Sequence, residues 1–311
     1  MIGRKEVEAA WGRVKNHVRR TPVIELPAGA FGVDAPSNVQ VVMKLEQLQV
    51  SGTFKGRGAF HKLLASDVPT AGVIAASGGN HGVAVAYAAQ ALGHKAEIFV
   101  PTISAPTKVA RLKSLGAVVN QVGQVYDEAR EASVRRAAET GALMAHAYED
   151  PVVFAGAGTV ALEFAEQSKF DTLLISVGGG GLIAGCSAAI GDHTKIVAVE
   201  THGTPTLFEA RRAGKPVDVK ISGIAADALG ATRLGAPNFE LVQKYVKDAV
   251  LVDDEAVKAA QRALWDRLRI VAEPSGATSL AALMAGAYKP DSGERVGLLI
   301  CGANTEPGSV A

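Results

Sequence analysis

Three glycine-rich turns hold the residues of this sequence that could do chemistry, and the first of them contains a lysine. Lys55 lies in the segment Ser51–Gly58, between an apolar run and a predicted helix. A helix dipole disfavours a cation at the amino-terminal end, so the pKa of the lysine falls and its amine becomes a better nucleophile. Schiff-base chemistry requires such an amine. Taken alone, however, a lysine in a glycine-rich turn is more often an ordinary solvated side chain.

The other two turns have the form of anion sites at helix starts. Ser77–Gly82 offers backbone N–H groups and the Ser77 and Asn80 side chains to a carboxylate, although a tight turn with an asparagine cap explains it equally well. Gly178–Gly181 are four consecutive glycines, which let backbone amides approach a phosphate group. Their spacing is neither that of a P-loop nor G-x-G-x-x-G, so the segment predicts a site for a single phosphate group.

Composition narrows the class of protein. The 311 residues are 48% hydrophobic and 20% charged, enough to bury one large core or two modest ones. A net charge of +1 provides no broad field for nucleic acid or an anionic membrane, so small-molecule partners are expected. The two cysteines, Cys186 and Cys301, fit a reducing compartment. The amino-terminal stretch lacks the unbroken apolar core of a signal peptide, and no stretch approaches the roughly 20 apolar residues needed to cross a bilayer, so we expect a cytoplasmic protein.

Apolar runs of strand type alternate with alanine-rich helical stretches along most of the chain. Strands are predicted at Val39–Leu45, Val73–Ala76, Ala96–Val100, Ala117–Val122, Leu143–His146, Thr172–Val177, Ile196–Val199 and Val296–Cys301. Helices are predicted within residues 1–20 and at His81–Leu92, Pro106–Leu115, Tyr126–Thr140, Val153–Gln167 and Asp254–Arg269. The alternation predicts two doubly wound open-sheet α/β domains. We place a small domain at 68–149 and a discontinuous large domain at 1–67 and 150–311, with the chemistry in the cleft between them.

Together the three turns resemble those of the fold-type II pyridoxal phosphate (PLP) enzymes, the tryptophan synthase β family. Within that family they are most similar to the serine/threonine dehydratase and serine racemase branch. Ser51–Ala59 resembles the family's lysine motif, Ser77–Gly82 its substrate loop and Gly178–Gly181 its phosphate loop, in the same order over nearly the whole chain. Cysteine and threonine synthases carry a threonine after the loop asparagine, so His81 favours the dehydratase branch.

The resemblance implies a role for each matching residue. Lys55 would carry PLP as an imine and later move the α-proton, with Phe54 behind the cofactor. The rest of the site would comprise Asn80 at the ring hydroxyl, Gly178, Gly179, Gly180, Gly181 and Leu182 at the phosphate, Cys301 at the pyridine nitrogen, and Ser77, Gly78, Gly79, Asn80 and His81 at the substrate carboxylate. A neutral thiol at the ring nitrogen would make the cofactor a weaker electron sink than a carboxylate would, which favours prompt elimination over transamination.

Several positions depart from the pattern of the branch or fit it equally with a structural role. Gly78 replaces a second serine found in serine racemases and in many dehydratases, which removes an acid that two-sided proton transfer needs. Glu200 matches the first ligand of a divalent-cation site, but no aspartate follows it closely, so no metal is expected. Tyr148 replaces a common asparagine and leaves the substrate side chain open. Glu273–Gly276 resembles a turn near the cofactor, although a helix start explains it equally well.

We therefore expect a PLP-dependent ammonia-lyase that converts a β-hydroxy amino acid, first L-threonine or L-serine, to a 2-oxo acid and ammonia. Alternatives are a serine or aspartate racemase, a 3-hydroxyaspartate dehydratase and a non-catalytic small-molecule-binding protein. A dinucleotide-binding Rossmann protein is the weakest alternative, because the glycine loop lacks that fingerprint. The resemblance also implies a homodimer.

Overall fold

A computed structural model describes residues 2–309 and builds its larger β-sheet from residues near both ends of the chain. Its strands are β1 (Val23–Pro27), β2 (Gln40–Lys44), β7 (Thr172–Ser176), β8 (Lys195–Thr201), β9 (Val246–Val252) and β10 (Arg295–Leu299). They are arranged in the order β1-β2-β10-β7-β8-β9, and neighbours are parallel except for β1 and β2. Strands β2, β7 and β10 are buried over nearly all their length, as parallel strands covered on both faces should be.

The smaller sheet comes from one continuous stretch of the chain. Its strands are β3 (Val73–Ala76), β4 (Ala96–Val100), β5 (Val118–Gln121) and β6 (Leu143–Met144). They are parallel and lie in the order β5-β4-β3-β6. The reversal of strand order beside β3 is a topological switch point, where open α/β sheets hold their ligands.

Helices cover both sheets. They are α1 (Arg4–Val14), α2 (Lys55–Leu64), α3 (Asn80–Leu92), α4 (Pro106–Ser114), α5 (Tyr126–Thr140), α6 (Pro151–Gln167), α7 (Gly181–Ile190), α8 (Thr206–Ala213), α9 (Ala226–Leu229), α10 (Ala236–Tyr245), α11 (Asp254–Leu268) and α12 (Pro274–Met284). Short 3₁₀ helices occupy Ala28–Phe31, Glu46–Leu48 and Pro307–Ser309. Among residues 2–309, no helix is both long and apolar enough to cross a membrane.

Helix α2 lies between the two sheets. Phe60 and Leu63 belong to the core that packs on the smaller sheet. The opposite side of α2 crosses α6 so closely that a Cβ on Gly58 would lie 2.6 Å from the carbonyl oxygen of Val153. The glycine is required for this approach, and it places Lys55, the first residue of α2, at the junction of the sheets. Because α2 packs on both sides, the boundary at residues 67 and 68 stays a prediction.

All eight predicted strands are present, but two further strands were not predicted. Strand β1 ends in Pro27, and β9 has two exposed charged residues, Lys247 and Asp248, directly after its first residue. Both lie at the edges of the larger sheet, where one side needs no ladder partner. Edge strands therefore lack the continuous apolar signal that identified the central strands. The five predicted internal helices are present, and the amino-terminal one is α1; residue 1 lies outside the described residues.

Candidate active site

Three strands and one helix bring their ends together at the junction of the sheets. Strands β3, β7 and β10 run into the loops that hold Ser77, Gly178 and Cys301, and α2 begins at Lys55. The lysine turn is fixed to the end of β10, because the Phe54 N–H donates to the carbonyl oxygen of Cys301 at 3.0 Å. Residues that are far apart in the sequence thus meet at the carboxyl ends of parallel strands.

Lys55 is half-buried and its ammonium group faces no carboxylate within hydrogen-bonding distance among the described residues. Its Nζ donates to the carbonyl oxygen of Ala147 at 2.9 Å and lies 5.2 Å from the centre of the Phe54 ring. Burial lowers the pKa of Lys55 to about 8, while nearby Cys301 and Glu273 act in the opposite direction. A substantial neutral fraction near physiological pH makes this amine a nucleophile and a base.

The four-glycine loop is shaped by close packing. A Cβ on Gly179 would lie 2.3 Å from a carbon of the Tyr148 ring, and Gly180 has a φ of +88°, which side chains rarely adopt. Asn238 holds the loop in place by donating from Nδ2 to the carbonyl oxygens of Tyr148 (2.8 Å) and Gly179 (2.7 Å).

The amino-terminal end of α7 faces the same region as the lysine. Gly180 at the N-cap has no side chain, so the first N–H groups of α7 are left for an external anion. Lys55, Gly181 and Leu182 line one small cavity, with Phe54 and Ala147 also in its wall. An anion site and a reactive amine are therefore adjacent.

The loop after β3 forms a second uncapped helix start. Gly79 is the N-cap residue of α3, and its N–H donates to Ser77 Oγ at 3.3 Å. A Cβ on Gly78 would be only in ordinary contact with Val100, at 3.5 Å, so the position has room for a side chain that the sequence does not supply. Backbone N–H groups here could receive a carboxylate.

The ring of His81 is turned into the protein, although the sequence suggested His81 at the carboxylate. The side chain is 4% exposed, and Nε2 lies 2.9 Å from the carbonyl oxygen of Ala145. Burial lowers the pKa of His81 to about 3, and the charge of Lys55 adds to the shift. A neutral, buried imidazole leaves only the backbone N–H of this residue for a ligand.

A hydrogen-bonded group connects Asn80 to the far side of the junction. Asn80 Nδ2 donates to Glu273 Oε1 at 2.7 Å, and Asn80 Oδ1 accepts from Asn304 Nδ2 at 2.6 Å. Glu273 is 4% exposed, and burial raises its pKa while the hydrogen bonds oppose that shift. Sequence reasoning left Glu273 equally balanced between a helix start and a site residue. Glu273 is the N-cap residue of α12, and its carboxylate also binds the Asn80 amide.

Cys301 lies at the base of this group. Its Sγ donates to the carbonyl oxygen of Ser275 at 3.4 Å. Burial raises the pKa of the thiol to about 12, with the charge of Glu273 acting in the same direction. The thiol is therefore neutral near physiological pH.

Comparison with known proteins identifies the family in which this lysine and these glycine-rich loops occur together. A family model described as pyridoxal-phosphate dependent enzyme matches residues 14–302. The chain belongs to this family. It is 36% identical to an L-threonine ammonia-lyase of Thermotoga maritima over 313 residues, covering 98% of this chain and 76% of the relative. It is also 36% identical to a phenylserine dehydratase of Ralstonia pickettii, covering 96% and 92%. The solved structure of maize serine racemase superposes with a TM-score of 0.92 at 31% identity, covering 99% and 95%.

These findings establish a PLP-dependent lyase of fold type II in the dehydratase and racemase branch. The residues at the junction fit the cofactor. Gly180 and Gly181 leave a helix start open for a phosphate group, and Lys55 offers an amine of lowered pKa in the same cavity. Phe54 supplies an apolar wall beside that amine. The predicted phosphate loop and lysine are thus adjacent in space as well as ordered in sequence.

Glu200 has a structural environment in this fold. Its carboxylate accepts from the Thr206 hydroxyl at 2.9 Å and from the N–H groups of Leu207 and Phe208, both at 2.8 Å. Burial raises its pKa to about 7, and these hydrogen bonds oppose the shift. The side chain is thereby engaged at the start of α8. Within residues 2–309, no group of three or more His, Cys, Asp or Glu side chains is arranged to hold a metal ion.

Proposed function

We propose that this enzyme is an ammonia-lyase that dehydrates L-threonine or L-serine to the corresponding 2-oxo acid and ammonia. Two features of the junction support the proposal together, the amine of Lys55 and the absence of a side chain at Gly78. Lys55 is an amine with a pKa of about 8, suited to removing a proton from carbon. Gly78, in the loop expected to face the substrate, has space around it but contributes no acid. Elimination needs proton transfer on one face of the substrate only, so Lys55 is sufficient and no acid is needed at position 78.

Each part of the site would have a separate task in this reaction. The start of α3, from Ser77 to Asn80, would bind the substrate carboxylate, and Gly178 to Leu182 would bind the cofactor phosphate. When bound, PLP withdraws electrons from the α-carbon of the amino acid and makes its C–H bond acidic. Lys55 would take the α-proton, and Cys301 would remain neutral at the pyridine nitrogen.

Elimination would begin with transfer of the α-proton to Lys55. The bond to the β-hydroxyl would then break, and return of that proton to the departing hydroxyl would complete a molecule of water and leave an enamine. The released enamine hydrolyses in water to the 2-oxo acid and ammonia, so one amino acid yields one of each. The half-buried Lys55 can retain or return the proton, because the nearby Ala147 carbonyl oxygen accepts a hydrogen bond from its charged form.

The direct test is keto acid release from purified, PLP-loaded enzyme. L-threonine and L-serine should each be assayed for 2-oxo acid and ammonia, alone and with Lys55→Ala. We expect equimolar products from the wild type and a loss of at least about a thousandfold in turnover for the variant. Lys258→Ala, at an exposed lysine of α11 that pairs with Glu255, should retain wild-type turnover.

Absence of keto acid from both amino acids would end this substrate assignment. 3-Hydroxyaspartate and bulkier β-hydroxy amino acids would then be tested, because Tyr148 departs from the asparagine common in the branch. If no amino acid is turned over in a Lys55-dependent manner, the chain is a binding protein that retains the fold.

Racemisation is the second candidate, because of the likeness to maize serine racemase. Serine and aspartate are the substrates to test, by chiral chromatography of the amino acid recovered after incubation. We expect no opposite enantiomer, since Gly78 supplies no second acid. Appearance of the opposite enantiomer faster than keto acid would make the enzyme a racemase.

We further propose that the enzyme works in the cytoplasm as a homodimer whose partner molecules are amino acids. Cys186 and Cys301 are both free and buried, which suits a reducing compartment. Light scattering after size-exclusion chromatography would test the oligomeric state, with a mass near twice the 32.0 kDa of one chain expected.

A further inference from the structure

The amide of Asn80 is held from two sides by residues that lie more than 190 positions away in the sequence. Glu273 Oε1 accepts from Nδ2, and Oδ1 accepts from the side chain of Asn304. Asn304 is anchored in turn, because its own backbone N–H donates to Glu273 Oε2 at 3.1 Å. Three residues from three segments therefore form one closed ring of hydrogen bonds.

The chemistry of the carboxylate fixes which way the amide points. Besides Asn80 and Asn304, the Ser275 hydroxyl also donates to Glu273 Oε1, at 2.5 Å. All three partners are hydrogen-bond donors, and an ionised carboxylate can accept a hydrogen bond from each of them. Nδ2 of Asn80 must then face Glu273, and Oδ1 must face the Nδ2 donor of Asn304. One hydrogen on Asn80 Nδ2 is used by Glu273, and the second is left for a ligand in the cleft.

We propose that Glu273 is a positioning residue, which with Asn304 fixes the Asn80 amide so that its remaining Nδ2 hydrogen is presented to the cofactor. The inference rests on the proposed function and on the resemblance, which implies that Asn80 lies at the ring hydroxyl of the cofactor. Gly302 supports the arrangement, because a Cβ there would lie 2.6 Å from Glu273 Oε1. Only a glycine at position 302 leaves space for the Glu273 carboxylate in this position.

Glu273→Gln tests this role because an amide of the same size cannot serve three donors. Its oxygen can accept on one side, but its NH₂ group then faces a donor on the other. The mismatch either leaves a buried donor unpaired or turns the Asn80 amide over. In both cases the hydrogen presented to the cofactor is misplaced.

Glu294 provides a matched control in the same chain. Its Oε1 accepts from the hydroxyls of Thr172 and Tyr288, both at 2.5 Å, and its Oε2 accepts from the N–H of Asp291 at 2.7 Å. This carboxylate is 9% exposed and lies at the opposite end of β10 from Cys301. Glu294→Gln therefore introduces the same mismatch away from the cleft.

The experiment compares cofactor binding and stability in both variants. Apoprotein is titrated with PLP, the absorption maximum of the bound cofactor is recorded, and the Tm of the apoprotein is measured. Both variants should lower the Tm, but only Glu273→Gln should weaken PLP binding, by about tenfold, and shift the absorption band. Asn80→Ala should weaken binding to a similar extent, and combining it with Glu273→Gln should add little, because both act through one contact.

Asn304→Ala keeps the test decisive if Glu273→Gln does not fold. Asn304 is exposed, and its loss frees Asn80 Oδ1 while leaving Glu273 in place. A smaller loss of PLP affinity in the same direction is expected. Wild-type affinity and an unshifted band in the folded variants, or losses that multiply in the Glu273→Gln and Asn80→Ala double variant, would overturn the inference. If the wild type binds PLP but dehydrates neither amino acid, the proposed reaction fails while this inference stands.

Discussion

Two groups of polar side chains each draw a cation from the start of α2, and they differ in how their charges are balanced. The charge network comprises Lys44, Glu46, Arg57 and Glu163, whose side chains are all fully buried. The cleft cluster comprises Lys55, Asn80, Glu273, Asn304 and Cys301. Arg57 and Lys55 are two residues apart on α2, yet the first enters the core and the second the cleft.

The charge network is electrically closed. Arg57 donates to Glu46 from Nε (2.7 Å) and Nη2 (2.8 Å) and to Glu163 at 3.0 Å, and Lys44 pairs with Glu163. Burial alone would raise the pKa of Glu46, but Arg57 holds it below its usual value. Two cations and two carboxylates thus compensate one another in the core.

The cleft cluster is left open on the side where a ligand would bind. Lys55 bonds to a neutral carbonyl group, so burial lowers its pKa. The difference indicates that the fold compensates charges where it needs rigidity and leaves one uncompensated where it needs reactivity. Stability and cofactor binding should therefore respond separately to changes in the two groups.

The largest effect is expected from Glu163→Gln. Glu163 is shared by Lys44, Arg57 and the backbone N–H of Thr21, so its loss leaves two buried cations with one carboxylate. Breaking such a group should lower the free energy of unfolding by about 3–5 kcal/mol, measured by urea denaturation. PLP affinity of the folded protein should not change. Glu166→Gln, on the same helix at an exposed pair with Arg20, should stay within about 0.5 kcal/mol. Similar losses from both would refute the distinction between the networks.

Gly179→Ala should act on the cleft instead of the core. The added methyl group would displace the Tyr148 ring and with it the loop beneath the proposed phosphate site. We expect PLP affinity to fall about tenfold, measured by titration of the apoprotein, with a smaller change in stability. Gly12→Ala, in α1 with open space around it, should bind PLP normally. Tyr148→Ala should restore part of the affinity of Gly179→Ala; failure to do so would mean that the ring is not the obstacle.

The sequence predicted the parts of the site that depend on local order. Lys55, Ser77 and Gly178 each follow an apolar run and precede a helix, and parallel strands bring such junctions to one edge. Glu273 could not be assigned in this way, because its partners Asn80 and Asn304 are chosen by tertiary packing. The orientation of the His81 ring was likewise set by the core, since helix phase decides which side of α3 a residue occupies. The edge strands were missed for want of an apolar pattern.

The smallest effect concerns Lys55 itself and has a defined pH dependence. Its folded-state pKa of about 8 lies below the value of 10.5 for an unperturbed lysine. Below pH 8 both states are protonated and the folded apoprotein bears the full cost of burying the ammonium group. Between pH 8 and 10.5 the unfolded chain binds the extra proton, so stability rises with pH and the cost disappears.

Because Lys55 is only half-buried, the full shift is discounted, and Lys55→Met should stabilise the apoprotein at pH 7 by about 1 kcal/mol, an advantage that should shrink as the pH rises from 8 to 10.5. Urea unfolding of both proteins across that range measures the difference, in which all other titrating groups cancel. Lys258→Met, at an exposed position, should show no such pH-dependent gain. A destabilised Lys55→Met at pH 7 would place Lys55 with the compensated charges of the core, and the contrast between the two networks would lose its basis. A gain confined to neutral pH would show that the active-site lysine is held at the expense of stability.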